Sequence, residues 1–248
     1  VSESPRRVVV QFVGSGDAFG SGGRLQACIS VRTPDHHALL DCGASSLIGL
    51  KRLGLDPGTV DTVFATHVHG DHFGGIPFLV LDGQFAGRVR PLRIVGPPGT
   101  REHLGQAMET AFPGSSRVKR RFELDVVELA ERVPTPVEPF VVTGYPGIHS
   151  APNHALRLAY GDTVVAYSGD TEWTDALAEA ADGADLFVCE AYFFEKATKF
   201  HLDYATLRRN RARLRCARLV LTHLSADMLA RLSEVDDETA HDGLLLTL

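Results

Sequence analysis

A layered α/β fold is predicted for this 248-residue chain by three observations. Apolar strand-like runs alternate with helical stretches from one end to the other. No internal repeat, low-complexity tract or long polar linker interrupts them, so residues 1–248 read as one domain. Four of the strand-like runs end in His, Asp or Glu, at Thr66-His67, Gly169-Asp170, Cys189-Glu190 and Thr222-His223. Sites in layered α/β folds are built at strand ends, so these four endings can converge on one rim.

In chain order the strand-like runs are RVVVQFVG (7–14), ACISVRT (27–33), HALLDCG (37–43), TVDTVFATH (59–67), LRIVGP (92–97), VVAYSGD (164–170), DLFVCEA (185–191) and RLVLTHL (218–224). Helical stretches are expected near 44–53, 98–112, 173–182 and 203–215. The glycine-rich turn after the first run, VGSGDAFGSGG, does not make a dinucleotide fingerprint. Phe19 stands where the third glycine belongs, and GSGGRLQACIS leads into another strand rather than a helix.

The composition is that of a soluble globular protein, 44% hydrophobic and 23% charged, and large enough to bury a sizeable core. No apolar run reaches the length of a membrane span, and the start VSESPRRVVVQF carries no signal-like apolar stretch. Cys28, Cys42, Cys189 and Cys216 are widely spread with no CxxC pair, which suits reduced thiols and a cytoplasmic location. A net charge of −6 argues against the whole molecule acting as an electrostatic trap for nucleic acid. Basic charge is local, in RVKRRF (117–122) and in LRRNRARLRCAR (207–218) with its six arginines. The second cluster reads as a solvated helix face, with a phosphate-facing patch as the alternative.

The chemistry is concentrated in THVHGDHFGG (66–75), three histidines and one aspartate within six residues. Imidazole and carboxylate are good donors for zinc and similar divalent ions. On an extended segment His67 and His69 point the same way, while Asp71 and His72 follow in a turn that can aim them at a second position. Gly70, Gly74 and Gly75 are expected to lend that turn its freedom. Four donors exceed what one closed site needs, so the spacing suits two metals side by side.

H-x-H-x-D-H resembles the signature of the metallo-β-lactamase fold, matched by His67, His69, Asp71 and His72. Three later blocks resemble the ribonuclease Z branch of that fold: HSAPNHALRLAYGDTVVAYSGDT (149–171), DLFVCEAYFFEKATKFHLDYATL (185–207) and LVLTHLS (219–225). The resemblance implies a four-layer αβ/βα sandwich, two mixed sheets face to face with helices outside. It implies that His67, His69 and His149 hold one metal, that Asp71, His72 and His223 hold the other, and that Asp170 bridges them. Asp41 in LLDCG matches an acidic position that orients a ligand. The two cofactor ions are expected to be zinc, with manganese equally suited to the donors. A homodimer is implied by the same resemblance.

Two such cations lower the pKa of a shared water and neutralise charge on a phosphoryl oxygen, which points to hydrolysis of a phosphodiester by metal-bound hydroxide. The departing alkoxide still needs a proton. The resemblance assigns that to His201, oriented by Glu190, and these two with Asp71 form the expected catalytic set. The tRNA-processing members carry a long arm between the counterparts of His149 and Asp170. Here that interval is 21 residues (170 minus 149), room for a strand, a turn and a strand. THLSADM also lacks the Arg-Tyr pair those members show after the serine. The reading that follows is a phosphodiesterase acting on a small or non-tRNA diester, cyclic and nucleotide diesters included. The alternatives are a ribonuclease Z-type tRNA endonuclease, with RNA as partner, a lactonase or ester hydrolase on the same metals, and a non-catalytic binding protein. His36, His37, His103, His154 and His241 have no motif. The first three are expected to be solvated, and His154, five residues past His149, can face substrate.

Overall fold

Alternation of side chains along short apolar strands builds two sheets that share one dry interface. The computed structural model describes residues 7–248. Six strands come first: β1 (Val9–Gly14), β2 (Cys28–Arg32), β3 (His37–Leu40), β4 (Thr62–Phe64), β5 (Leu92–Gly96) and β6 (Leu124–Glu128). Seven more follow: β7 (Thr135–Val137), β8 (Phe140–Pro146), β9 (His154–Tyr160), β10 (Thr163–Tyr167), β11 (Leu186–Glu190), β12 (Arg218–Thr222) and β13 (Glu238–Thr239). The chain then returns with β14 (Leu245–Thr247) to close the first sheet, whose order is β14-β1-β2-β3-β4-β5-β6. The second sheet runs β13-β12-β11-β10-β9-β8-β7.

Helices cover the outer faces. α1 (Ser46–Arg52), α3 (Ile76–Phe85) and α4 (Thr100–Ala111) pack on the first sheet, and α5 (Asp175–Ala181), α6 (Tyr204–Asn210) and α7 (Ala226–Ala230) on the second. α2 (Gly70–Phe73) is a single turn at the rim. Each central strand feeds two cores with its alternate residues. Phe64, Val95, Tyr167 and Val188 meet between the sheets. Their neighbours Val63 and Ile94 pack on Ile76, Leu79 and Leu104, while Ala166, Phe187 and Cys189 pack on Leu177, Leu207 and Met228. The fold is thus the expected αβ/βα sandwich.

In each sheet a run of strands is parallel, β3 to β6 in the first and β10 to β13 in the second. Parallel strands leave all their carboxyl ends on one rim, and the loops that follow β3, β4, β10, β11 and β12 meet there. Three helices that follow the loops of this rim are capped by side chains at their starts. Thr174, Asp203 and Ser225 accept the first free amides of α5, α6 and α7.

Several expectations are corrected. The run 59–67 does not continue as strand to His67: β4 stops at Phe64 because Thr66 gives its amide to the Asp41 carboxylate, 2.8 Å, instead of to a neighbouring strand. Asp71 and His72 lie in helix α2, not in an irregular turn. Gly74 and Gly75 have ordinary φ angles of −63° and −82°, so freedom is not their role. A Cβ would stand 2.4 Å from the Gly70 carbonyl at position 74, and 2.2 Å from the Gly43 carbonyl at position 75. The helix expected over 203–215 ends at Asn210 and continues as a tighter turn, Arg211–Arg213. The interval from His149 to Asp170 holds the hairpin β9–β10, joined by Gly161 and Asp162. Among the described residues no helix is long and apolar enough to cross a membrane. The stretch VSESPR at the start, in which no leader was expected, lies outside the described residues.

Candidate metal and catalytic centre

Loops from both sheets bring five imidazoles and two aspartates into one cluster. Ligand-capable atoms of His67, His69 and His149 lie within 4.8 Å of one another, as do those of Asp71, His72, Asp170 and His223. A third overlapping group joins Asp170 and His223 to Glu190 and His201.

Hydrogen bonds on the outer side of the rings decide which nitrogens face inward. The buried Asp41 carboxylate accepts the His72 Nδ1–H at 2.6 Å and the Thr66 hydroxyl at 3.0 Å. With its proton so committed, the Thr66 oxygen accepts the His67 Nδ1–H at 2.9 Å. His149 Nδ1–H donates to the Phe200 carbonyl, 2.9 Å. Each of these three rings therefore presents Nε2 as a lone pair. His72 Nε2 lies 3.3 Å from His223 Nε2, and His149 Nε2 lies 3.0 Å from His69 Nδ1. His67 Nε2 and Asp170 Oδ1 are fully buried without a hydrogen-bond partner. Buried polar atoms are otherwise almost always paired, so lone pairs converging on shared points fit divalent cations of the mixed nitrogen and oxygen type.

Charge in the cluster agrees. Burial holds the His67 pKa well below the ordinary histidine value. Burial also opposes charge on His72, but Asp170 and Asp41 outweigh it and hold its pKa up. Against the same burial penalty, Asp170 and the hydrogen bond to Asp71 push His223 up to about 10. Asp71 and Asp170 pay for burial too, yet their histidine partners draw both carboxyls far below the usual range. Without metal, protons on the imidazoles supply the positive charge that the aspartates require.

His201 stands at the mouth with 24% of its side chain exposed. Its Nδ1 is 2.5 Å from the fully buried Glu190 Oε1 and 3.7 Å from Asp170 Oδ2. Glu190 Oε2 accepts the amides of Thr171 and Leu202, at 2.9 and 3.2 Å, so the carboxylate cannot turn away. The Tyr192 ring lies over His201, 4.6 Å between centroids and 30° between planes. The hydrogen bond and the ring contact against it fix the imidazole and leave Nε2 for the opening. Asp203, not His201, caps the helix that follows. Asp41, Phe200 and His223 have φ of 58°, 72° and 59°. Such left-handed backbone is unusual for a bulky side chain, about 1–3 kcal/mol each, and it clusters where surrounding structure enforces it.

The remaining histidines stand apart. His37 is buried, contrary to expectation: its ring nitrogens meet Ser30 Oγ and Thr59 Oγ1 at 2.9 Å each, and burial lowers its pKa to about 4. His36 is half-buried on Thr62, and His103 and His241 are exposed. His154 is buried under Gly144 and does not reach the opening. Of the six arginines in 207–218, five face carboxylates: Arg208–Asp236, Arg211–Asp237, Arg213–Asp175, Arg215–Asp182 and Arg218–Glu238. Arg117, Lys119 and Arg121 are exposed without such a partner among the described residues. Sequence reasoning missed Thr66, Thr171, Tyr192 and the Phe200 carbonyl. Only Thr171, in the Ser-Gly-Asp-Thr block, left a trace in the linear pattern.

Comparison with known proteins agrees with this geometry. Over 271 residues the chain is 28% identical to the ribonuclease Z of Methanothermobacter thermautotrophicus, covering 87% of this chain and 86% of the relative. The structure superposes on the metallo-β-lactamase fold protein YhfI of Bacillus subtilis with a TM-score of 0.81, at 20% identity, covering 98% of this chain and 100% of that one. The short form of human tRNase Z gives a TM-score of 0.78 at 25% identity, over 96% and 98% of the two chains. Fold, cluster and relatives together define a metal-dependent hydrolase of the metallo-β-lactamase superfamily, in its ribonuclease Z-like branch. Within it, residues 8–241 match the model of the anti-Pycsar protein Apyc1, and the chain belongs to that family.

Proposed function

We propose that this protein is a dinuclear phosphodiesterase acting on a small or non-tRNA phosphodiester. The observation that carries the reading is the Glu190–His201 pair, 2.5 Å apart at the edge of the metal-ligand cluster. His67, His69 and His149 would hold one cation and Asp71, His72 and His223 the other, with Asp170 shared. Zinc is the expected ion, manganese suits the donors equally, and metal quantification on purified protein decides between them. Two cations there supply Lewis-acid polarisation of the phosphoryl oxygens and a water of lowered pKa.

The protein's own groups do the rest. Asp41 fixes the His72 ring directly and the His67 ring through Thr66. Glu190 and Asp170 raise the pKa of His201 against the cost of its burial, which favours the protonated ring that a general acid requires. His201 Nε2–H then donates to the leaving alkoxide, while Glu190 stabilises the charged ring through Nδ1.

Two features favour a small diester over tRNA. The interval from His149 to Asp170, where the resemblance would place a tRNA-gripping arm, holds only the hairpin β9–β10 and its short flanks. Five carboxylates already pair with the arginine-rich segment, which weakens the case for a phosphate-facing patch there. A homodimer fits the exposed Phe19 and Ile48, which line one concavity. Light scattering tests that state.

The deciding experiment is turnover of bis(p-nitrophenyl) phosphate, a panel of cyclic nucleotides, a precursor tRNA and a lactone by wild type and His201→Ala at equal metal content. Loss of diester turnover by about 10²–10⁴-fold in the variant is expected. Unchanged turnover would remove His201 as the acid, and efficient tRNA cleavage would move the substrate to RNA.

A further inference from the structure

The segment that delivers His201 also reaches the candidate ligand His149, and one strained residue joins the two. Phe200 has φ 72°, which a phenylalanine adopts only when held. Its amide donates to Glu172 Oε1 at 3.0 Å, and its carbonyl accepts from His149 Nδ1 at 2.9 Å. Residues 195–200 lie largely exposed, so little packing competes with these two bonds. The Glu172 amide donates to the Ile148 carbonyl at 3.1 Å, and the Glu172 carbonyl accepts the Thr171 hydroxyl at 2.8 Å. Thr171 Oγ1 accepts in turn from the Ile148 amide at 2.8 Å, so the backbone of Glu172 is tied to the residue before His149.

We propose that Glu172 is a positioning residue, whose carboxylate clamps Phe200 and thereby sets His149 and His201 at once. The clamp works through geometry. Holding the Phe200 amide keeps the residue left-handed, which turns its carbonyl onto the His149 ring and starts His201 toward Glu190. Without the carboxylate the exposed segment relaxes to an ordinary φ, and both imidazoles lose their aim. The proposal rests on the reading of His149 as a ligand and His201 as the acid. It goes beyond that reading because Glu172 touches neither cation nor substrate.

The test compares full-length wild type, Glu172→Ala and Glu172→Gln in three readouts: zinc affinity of metal-stripped protein by chelator competition, kcat and KM for bis(p-nitrophenyl) phosphate, and Tm. Loss of a group that orients a metal ligand costs about 10–100-fold in affinity or activity. Glu172→Ala is expected to lose that much in zinc affinity and in kcat, with KM unmoved. Glu172→Gln keeps an Oε1 acceptor and is expected to recover most of both. A lower Tm with kcat and zinc affinity intact would overturn the proposal, as would a Gln variant as defective as the Ala variant. Should Glu172→Ala fail to fold, Phe200→Val carries the test. A β-branched residue resists the left-handed conformation while the carboxylate stays, and the same paired loss is expected. If wild type turns over no diester, the functional reading falls, and the zinc titration still decides whether Glu172 sets His149.

Discussion

Single side chains at the rim act mostly through their neighbours. Asp41 receives four hydrogen bonds, from the Thr66 amide, the Thr66 hydroxyl on both oxygens and the His72 ring, and is wholly buried. Its φ of 58° is one that Asn tolerates as well as Asp. Asp41→Asn should therefore fold, but its amide replaces one acceptor by a donor and removes the charge opposite His72. Metal affinity is expected to fall about 10–100-fold with a small change in Tm, read by zinc competition and thermal melting. Retained affinity would mean that His72 is held by packing alone. Asp41 was picked out in the sequence only through resemblance, since a lone aspartate after an apolar run has no spacing of its own. Thr66 was invisible for the same reason: its role exists only once Asp41 and His67 lie on either side of it.

At the scale of elements, helix α2 holds Asp71 and His72 by tight backbone contact. Its carboxyl end packs Gly74 against the Gly70 carbonyl, and Gly75 against the Gly43 carbonyl of the loop after β3. Both obstacles are backbone, which cannot swing aside as a long side chain can. Gly74→Ala or Gly75→Ala should push the single helical turn off the rim. The expected outcome is at least about 1–3 kcal/mol of lost stability together with weakened metal binding. Gly70→Ala, whose Cβ would meet nothing within 4 Å, serves as the contrast and should melt close to wild type. Equal melting temperatures for all three would show that the rim yields more easily than its contacts imply. The sequence could suggest that these glycines mattered, but not why. It pointed to conformational freedom, whereas the cause is close backbone approach, at position 75 between residues 32 apart in the chain (75 minus 43). Helix α3 escaped detection because IPFLVLDGQF is apolar on nearly every side, so no amphipathic period marks it.

Across the whole molecule, the cluster couples the fold to pH and to metal. A histidine whose pKa is raised by folding stabilises the protein below its unfolded value of about 6.5. That contribution is lost as pH climbs through the folded value, about 10 for His223. Asp71 and Asp170, lowered by folding, contribute above about pH 3.9 and lose it only in stronger acid. His37 and His67, whose pKa values burial lowers, work the other way and withdraw stability as pH falls below about 6.5, so metal-free protein should melt highest near pH 6.5 and progressively lower from about pH 7 to 10. Metal-loaded protein should behave oppositely over the upper range, because the ligands must release those protons to bind and affinity rises with pH. Thermal scans across that range, with and without metal, check both halves. A flat metal-free profile would show that the imidazoles do not carry the protons that balance the aspartates.

What the sequence determined by itself was local: eight of the fourteen strands among the described residues, that histidines and aspartates gather at strand ends, and, through ordered blocks of resemblance, the class of chemistry. Apolar alternation and donor type are properties of neighbouring residues, so they survive in a linear string. The tertiary structure decided everything that depends on two segments meeting. It decided that parallel strands in both sheets empty onto one rim, that His37 is buried away from it, that the His154 side chain is buried against Gly144, and that carboxylates meet the arginine-rich segment. It also decided that Phe200 stands between His149 and Glu172, a contact that bridges 51 residues on one side and 28 on the other. Such contacts form when the packed sheets bring their loops together, and no periodicity in the chain encodes that distance.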